Sequence, residues 1–89
     1  MTFYVYLICS KNNNNRLISY VGYTNNLNKR IYLHNNSKGA KFTKGKKWIL
    51  LYKKKFLFKN EAMKYEYSLK KDRVKREYLK KKYYLYEKT

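Results

Sequence analysis

The longest uninterrupted apolar run in the chain is Phe3-Tyr4-Val5-Tyr6-Leu7-Ile8-Cys9. Seven residues fall far short of the roughly twenty that a membrane-crossing helix requires. Their aromatic and β-branched character instead favours a strand. No basic residue precedes the run and no small-residue cleavage site follows it, so it reads as the first strand of a domain rather than a secretory signal. The single Cys9 and single His34 exclude a disulfide framework and a zinc site built from Cys and His. The expected setting is therefore intracellular, in a reducing compartment such as the cytoplasm or nucleus.

Residues 10–15 follow as a turn-prone polar break containing four consecutive asparagines, and residues 17–23 form a second short apolar segment interrupted by Gly22. The two segments are close enough to pair as an antiparallel hairpin. From Asn26 the spacing becomes helical, with Leu27, Ile31 and His34 at i, i+4 and i+7 and with Asn25 or Asn26 available as the N-cap. That helix is expected to end within residues 35–39. Residues 48–52 and then 56–58 read as a third strand that frays through Lys53, Lys54 and Lys55. Asn60 then caps a second helix over residues 61–69, and residues 73–86 form a lysine-rich C-terminal helix with Leu79, Tyr83 and Tyr86 on one face. The expected class is α+β, a small three-stranded antiparallel sheet flanked by helices. Eighty-nine residues and 11.0 kDa suit a single domain over residues 1–89, with a core over residues 3–71.

Lys and Arg total 23 against 5 Asp and Glu, a net charge of +18. Self-repulsion of that size makes physical sense beside a polyanion. With 44% hydrophobic and 19% aromatic residues the chain has too much apolar material for a disordered basic tail. Nucleic acid is the expected partner and a membrane is not. Lys41, Lys44, Lys46, Lys47, Lys70 and Lys71 are candidates for phosphate contacts that hold a backbone without reading sequence.

Two helices carry residues that do not suit their surroundings. At about 100° per residue, Ala62, Met63, Tyr65 and Leu69 define an apolar arc with Glu66 in its middle. A buried carboxylate costs several kcal/mol unless it is paired or binds a metal. Glu66 is therefore either a ligand or half of an i, i+4 ion pair with Lys70, and the helix alone leaves both open. Glu61 merely suits the helix dipole. In the earlier helix Arg30 and His34 share a face beside Leu27 and Ile31. Taken alone, such a pair is more often a structural histidine beside a phosphate-binding arginine than a catalytic cation and imidazole. Tyr4, Tyr6 and Tyr20 could pack a sheet or stack on bases.

The order of these groups is more specific than any one of them. Tyr4-Val5-Tyr6 in a first strand, Tyr20-Val21-Gly22 after a hairpin, Arg30 with His34 four residues on, and Glu66 on a later helix resemble the GIY-YIG nuclease superfamily. The segment from Arg30 to Asn35 is similar to that family's Arg-x-x-x-His-Asn helix. Gly39-Ala40-Lys41-Phe42-Thr43-Lys44 is similar to an element of its small stand-alone branch, which is itself similar to the nuclease domain of the eukaryotic endonuclease that cuts branched DNA. Glu61-Ala62-Met63-Lys64-Tyr65-Glu66 looks like the family's Glu-Ala-x-x-x-Glu segment. The sequence departs from the pattern at Tyr4 and Val5, at Val21, and at Tyr78, which stands where the excision-repair branch has an asparagine.

The resemblance implies a metal-dependent endonuclease that hydrolyses phosphodiester bonds in branched, nicked or otherwise structured DNA, in repair or recombination. By the same resemblance Glu66 is the carboxylate ligand of one Mg²⁺ or Mn²⁺ and Tyr20 activates the water. Arg30 neutralises the phosphate in the transition state, and Tyr6 and His34 position water and phosphate. A tyrosine base needs a cation beside it to act near neutral pH, so an alkaline rate optimum is expected. The rival readings are a non-catalytic basic nucleic-acid-binding module, with the same lysines and aromatics, and a structural component of a ribonucleoprotein.

Overall fold

A strand that is apolar at every position is stable only where both of its faces are covered, and the run that begins at Phe3 occupies that place. In the computed structural model, which describes the backbone of residues 2–87 and the side chains of residues 2–85, β1 (Phe3–Lys11) lies between β2 (Leu17–Thr24) and β3 (Ile49–Phe56) in a three-stranded sheet of order β2-β1-β3. Both pairings are antiparallel. Val5, Tyr6, Leu7, Ile8 and Cys9 are fully buried. Alternation along the strand divides them between two cores. Val5 and Leu7 pack with Ala62, Leu69 and Leu79 on one face, and Tyr6 and Ile8 pack with Trp48, Leu27, Ile31 and Tyr20 on the other. The expected α+β class and three-stranded antiparallel sheet are what the chain adopts.

The asparagine run makes the β1–β2 turn. Asn12 Oδ1 accepts from the amides of Asn14 and Arg16, both at 3.0 Å, and Asn15 takes the left-handed conformation at φ 63°, which asparagine tolerates better than most residues. Helix α1 (Leu27–Asn35) starts where expected, with Asn26 Oδ1 accepting from the Lys29 amide at 3.2 Å. A 3-10 turn (Lys41–Thr43) follows. Helix α2 spans Lys59–Lys71, α3 spans Arg73–Lys80 and α4 spans Lys82–Glu87. Among the described residues no helix is long and apolar enough to cross a membrane.

Several boundaries differ from the sequence expectation. Lys53, Lys54 and Lys55 do not fray: they sit opposite Tyr6, Val5 and Tyr4 of β1. A lysine stem can lie along apolar surface while its ammonium stays wet, and Lys54 does so, with Nζ 4.8 Å from the Tyr65 ring centroid and 5.7 Å from that of Phe56. The β1–β3 register slips between Leu7 and Ile8, which face Tyr52 and Leu50. The extra residue, Leu51, joins Tyr52 on the α2 face. Helix α2 begins at Lys59 with Phe58 at the cap position, so Asn60 is inside the helix and accepts only from the adjacent Glu61 amide, at 3.0 Å. Met63 is exposed and leaves the arc formed by Ala62, Tyr65 and Leu69. The C-terminal helix is two helices broken at Lys81, with Leu79 buried; the Tyr86 side chain lies outside the described residues. Asp72 accounts for the start of α3, its Oδ1 accepting from the Lys75 amide at 3.0 Å.

Removal of a cap costs about 1 kcal/mol, whereas a surface change within a helix is worth a few tenths. Asn26→Ala is therefore expected to lower stability by about 1 kcal/mol and Asn60→Ala by less than half of that. Urea titrations of both variants check the assignment.

Candidate active site

Tyr6 of β1 pairs across the sheet with Gly22 of β2, and its phenol lies flat on that glycine. A Cβ at position 22 would come within 2.7 Å of Tyr6 Cζ and closer still to the hydroxyl. The absence of a side chain there lets the Tyr6 hydroxyl reach α1, where four-residue spacing holds Arg30 and His34 on the same face. His34 is completely buried. Its Nε2 lies 2.8 Å from the Tyr6 hydroxyl and its Nδ1 lies 2.9 Å from Thr43 Oγ1.

Hydrogen-bond accounting fixes the direction of this chain. Thr43 has one hydroxyl proton, which it donates to the Ala40 carbonyl at 2.8 Å, so its oxygen accepts from His34 Nδ1. A neutral imidazole has one N–H. Nε2 is then the acceptor, and Tyr6 donates to it. Arg30 in turn donates to the Tyr6 oxygen and also meets Tyr20. Burial, followed by the Arg30 cation, holds the His34 pKa down at about 4. Burial also pushes the Tyr6 hydroxyl up to about 12 against the pull of Arg30. The hydrogen bonds to Tyr6 and Tyr20 raise the Arg30 pKa further, so it stays charged. Burial thus keeps Tyr6 a phenol near neutral pH.

The segment between α1 and β3 supports the imidazole from behind. A Cβ at Gly39 would run into the His34 ring. Asn35, the residue after the histidine, clamps Trp48 at both ends of its backbone: Oδ1 accepts from the Trp48 amide at 2.5 Å and Nδ2 donates to its carbonyl at 3.2 Å. Trp48 Nε1 then donates to the Thr43 carbonyl at 3.0 Å. The Gly-Ala-Lys-Phe-Thr-Lys element is visible in the sequence, but the roles of Gly39, Thr43 and Asn35 are not, since each depends on what faces it across the fold.

Tyr6, Tyr20, Arg30 and Glu66 line one cleft of about 450 Å³, together with Gly22 and Lys59. The cleft takes residues from both faces of β2, so it wraps the outer edge of that strand. His34 does not line it; any influence it has on the cleft passes through Tyr6. Both sequence readings of Glu66 describe part of what is found. The carboxylate is 18% exposed and its Oε1 pairs with Lys70 Nζ at 3.4 Å, yet it also faces the cleft. A pair with a half-exposed lysine is worth only about 0–1 kcal/mol and is easily exchanged.

One carboxylate beside hydroxyl groups and space for phosphate oxygens suits a hard divalent ion that keeps most of its waters. Among the described residues no group of three or more His, Cys, Asp or Glu side chains could form a closed metal cage. The donor set therefore fits an ion shared between Glu66 and a phosphate.

None of the six lysines singled out from sequence lines the cleft. Lys41 and Lys44 are exposed on the loop beside it, next to Phe42, whose ring stacks on Tyr20 with centroids 6.3 Å apart. Lys46 and Lys47 border a separate depression near the hairpin turn. Lys70 holds Glu66, and Lys71 lies over the Tyr67 ring at 4.2 Å. The lysine that does line the cleft is Lys59, which carries no signal in a sequence with so many lysines.

A family model described as the GIY-YIG catalytic domain matches residues 2–83. The chain is 52% identical over 52 residues to a UPF0213 protein of Oceanobacillus iheyensis, a match covering 57% of this chain and 60% of the relative. It is 44% identical over 68 residues to a UPF0213 protein of Staphylococcus haemolyticus, covering 75% of this chain and 78% of the relative. The solution NMR structure of a UPF0213 protein from Bacillus halodurans is 38% identical, covers 89% of this chain and 82% of that one, and superposes with a TM-score of 0.48.

Two outcomes follow from the Tyr6–His34 chain. Unfolded chains protonate His34 near pH 6.5 while the folded chain resists until about pH 4. Its contribution to stability is therefore complete above pH 6.5 and declines by about 3 kcal/mol as the pH falls to 4. Urea titrations across this range should show that slope in the parent and lack it in His34→Gln. Separately, Gly22→Ala forces the Tyr6 ring off His34 and is expected to cost about 1–3 kcal/mol, measured in the same way.

Proposed function

The chain belongs to the GIY-YIG catalytic domain family, and on that premise we propose that it is a divalent-metal-dependent endonuclease that hydrolyses phosphodiester bonds in structured or branched DNA. The supporting observation is the convergence of Tyr6, Tyr20, Arg30 and Glu66 on a single cleft, although they come from four separate elements.

Phosphodiester hydrolysis needs a water in line with the leaving oxygen and positive charge where the phosphoryl oxygens gain negative charge. Glu66 would hold one Mg²⁺ or Mn²⁺, which would supply charge neutralisation at the phosphate. Arg30 offers a second, permanent positive charge and is held in place by its bonds to two tyrosines. Tyr6 is a poor choice of base, because burial pushes its hydroxyl up to about 12 and the imidazole it donates to resists a proton. Tyr20 lies outside that chain and beside the same guanidinium, which makes it the residue whose phenolate form would take the proton of the attacking water and become the phenol. Lys59 draws the phosphate inward, and Tyr6, fixed by His34, offers its oxygen as an orienting contact.

Loss of one transition-state contact typically costs at least about 100-fold in turnover. Glu66→Gln and Arg30→Ala are each expected to lose that much on a labelled branched substrate while DNA affinity changes little. EDTA should abolish cutting, and the rate should rise on the alkaline side of neutrality. Unimpaired cleavage by Glu66→Gln would falsify the ligand role, and tight binding without cutting by the parent in either ion would establish a binding module instead.

A further inference from the structure

Strand β2 is an outer strand of the sheet, and three successive depressions follow it from one end to the other. The cleft lies at its Thr24 end. A second depression, of about 290 Å³, is lined by Ser19, Tyr20 and Val21 with Lys70 and Arg76. Tyr20 lines both, so the two are contiguous. A third, of about 450 Å³, lies where β2 begins, with Arg16 and Leu17 facing Lys80 and Lys81. Two, two and three cationic side chains line them in turn, against only Glu66 and Glu77. Arg76 is fixed in place, since its Nη1 donates to the carbonyls of Leu69 and Lys70 at the end of α2. A cation already held needs little further ordering when it binds.

We propose that the nucleic-acid strand passing through the cleft continues along the outer edge of β2, with its phosphates against Lys70, Arg76, Lys80 and Lys81. This rests on the reading of the cleft as a nuclease site and adds the direction in which substrate extends from it. The alternative occupant of an open strand edge is a second copy of the chain. That pairing would set two cationic rows side by side on molecules of charge +18, whereas a polyanion neutralises the row. The eight residues of β2 extend roughly 23 Å at about 3.3 Å per residue, the length of about seven nucleotides at 3.4 Å each.

The test compares Lys80→Glu/Lys81→Glu with Lys38→Glu/Lys64→Glu, two exposed lysines that line none of the three depressions. Both pairs change the net charge equally, so general attraction to DNA is matched. Binding of labelled single-stranded oligonucleotides of four to twelve nucleotides is followed by anisotropy in EDTA, where nothing is cut. The edge variant is expected to lose at least tenfold in affinity and about 0.7 from the salt slope for each lost contact. Its affinity should stop rising with length before that of the parent, and the Lys38 and Lys64 variant should stay within about threefold of the parent. Lys80→Gln/Lys81→Gln should show a smaller loss in the same direction, and circular dichroism of each variant checks folding.

Equal losses in both pairs, no binding by the parent, or a parent dimer abolished only by the edge variant would overturn the path. Parent protein that binds in this pattern yet never cuts with Mg²⁺ or Mn²⁺ would overturn the nuclease reading and leave the path standing.

Discussion

The hydrogen bond from Tyr6 to His34, continued from His34 to Thr43, ties together three parts of the chain: the central strand, the first helix and the loop that leads to the third strand. Both groups are fully buried. A buried hydroxyl or imidazole left without a partner costs about 1–3 kcal/mol. Each must therefore find a partner, and the partners available are few. Among the described side chains no buried polar atom lacks one. The chain Arg30, Tyr6, His34, Thr43 and the Ala40 carbonyl is satisfied in one direction only, so it specifies a conformation as well as stabilising it. Its cost appears as two glycines. Gly22 and Gly39 are required because the phenol and the imidazole occupy the space that their side chains would need.

This arrangement places Tyr6 and Tyr20 in different surroundings. Both lie on the same sheet face, both meet Arg30, and both line the cleft. The difference is what stands behind them. Tyr6 is held as a neutral phenol by burial and donates its hydrogen bond to the imidazole. Tyr20 packs its ring against those of His34 and Phe42, with centroids 5.1 and 6.3 Å away.

The elements of the fold were legible wherever one feature decided them. The apolar run gave β1, the asparagines gave the hairpin turn, and Asn26 gave the start of α1. Boundaries failed where a contact distant in sequence overrode a local signal. Three consecutive lysines read as the end of a strand, yet β1 supplies a full ladder for them and aromatic rings carry the stem of Lys54. Asn60 read as a cap, yet the helix starts two residues earlier than that implies, at Lys59. The residues of the cleft could be identified from their order along the chain, whereas their supports could not. Asn35 clamping Trp48 and Thr43 orienting His34 are tertiary facts with no periodicity to reveal them.

The acidic residues show how the charge of the chain and its cleft are connected. On a surface that meets a polyanion each carboxylate weakens binding, so an acid is retained where something local requires it. Four of the acids have described side chains, and three have local helical settings: Asp72 caps α3, Glu61 lies in the first turn of α2, and Glu77 pairs with Lys80 one turn away. Glu66 has a neighbour in Lys70, but that contact is long and solvent-screened, too weak to explain a carboxylate kept mostly out of water. Its position beside Arg30 and two tyrosines is what distinguishes it. Among the described residues lining that cleft, Arg30 and Lys59 are positive and Glu66 is the one carboxylate, so it is the one side chain there whose charge would attract a divalent ion rather than repel it.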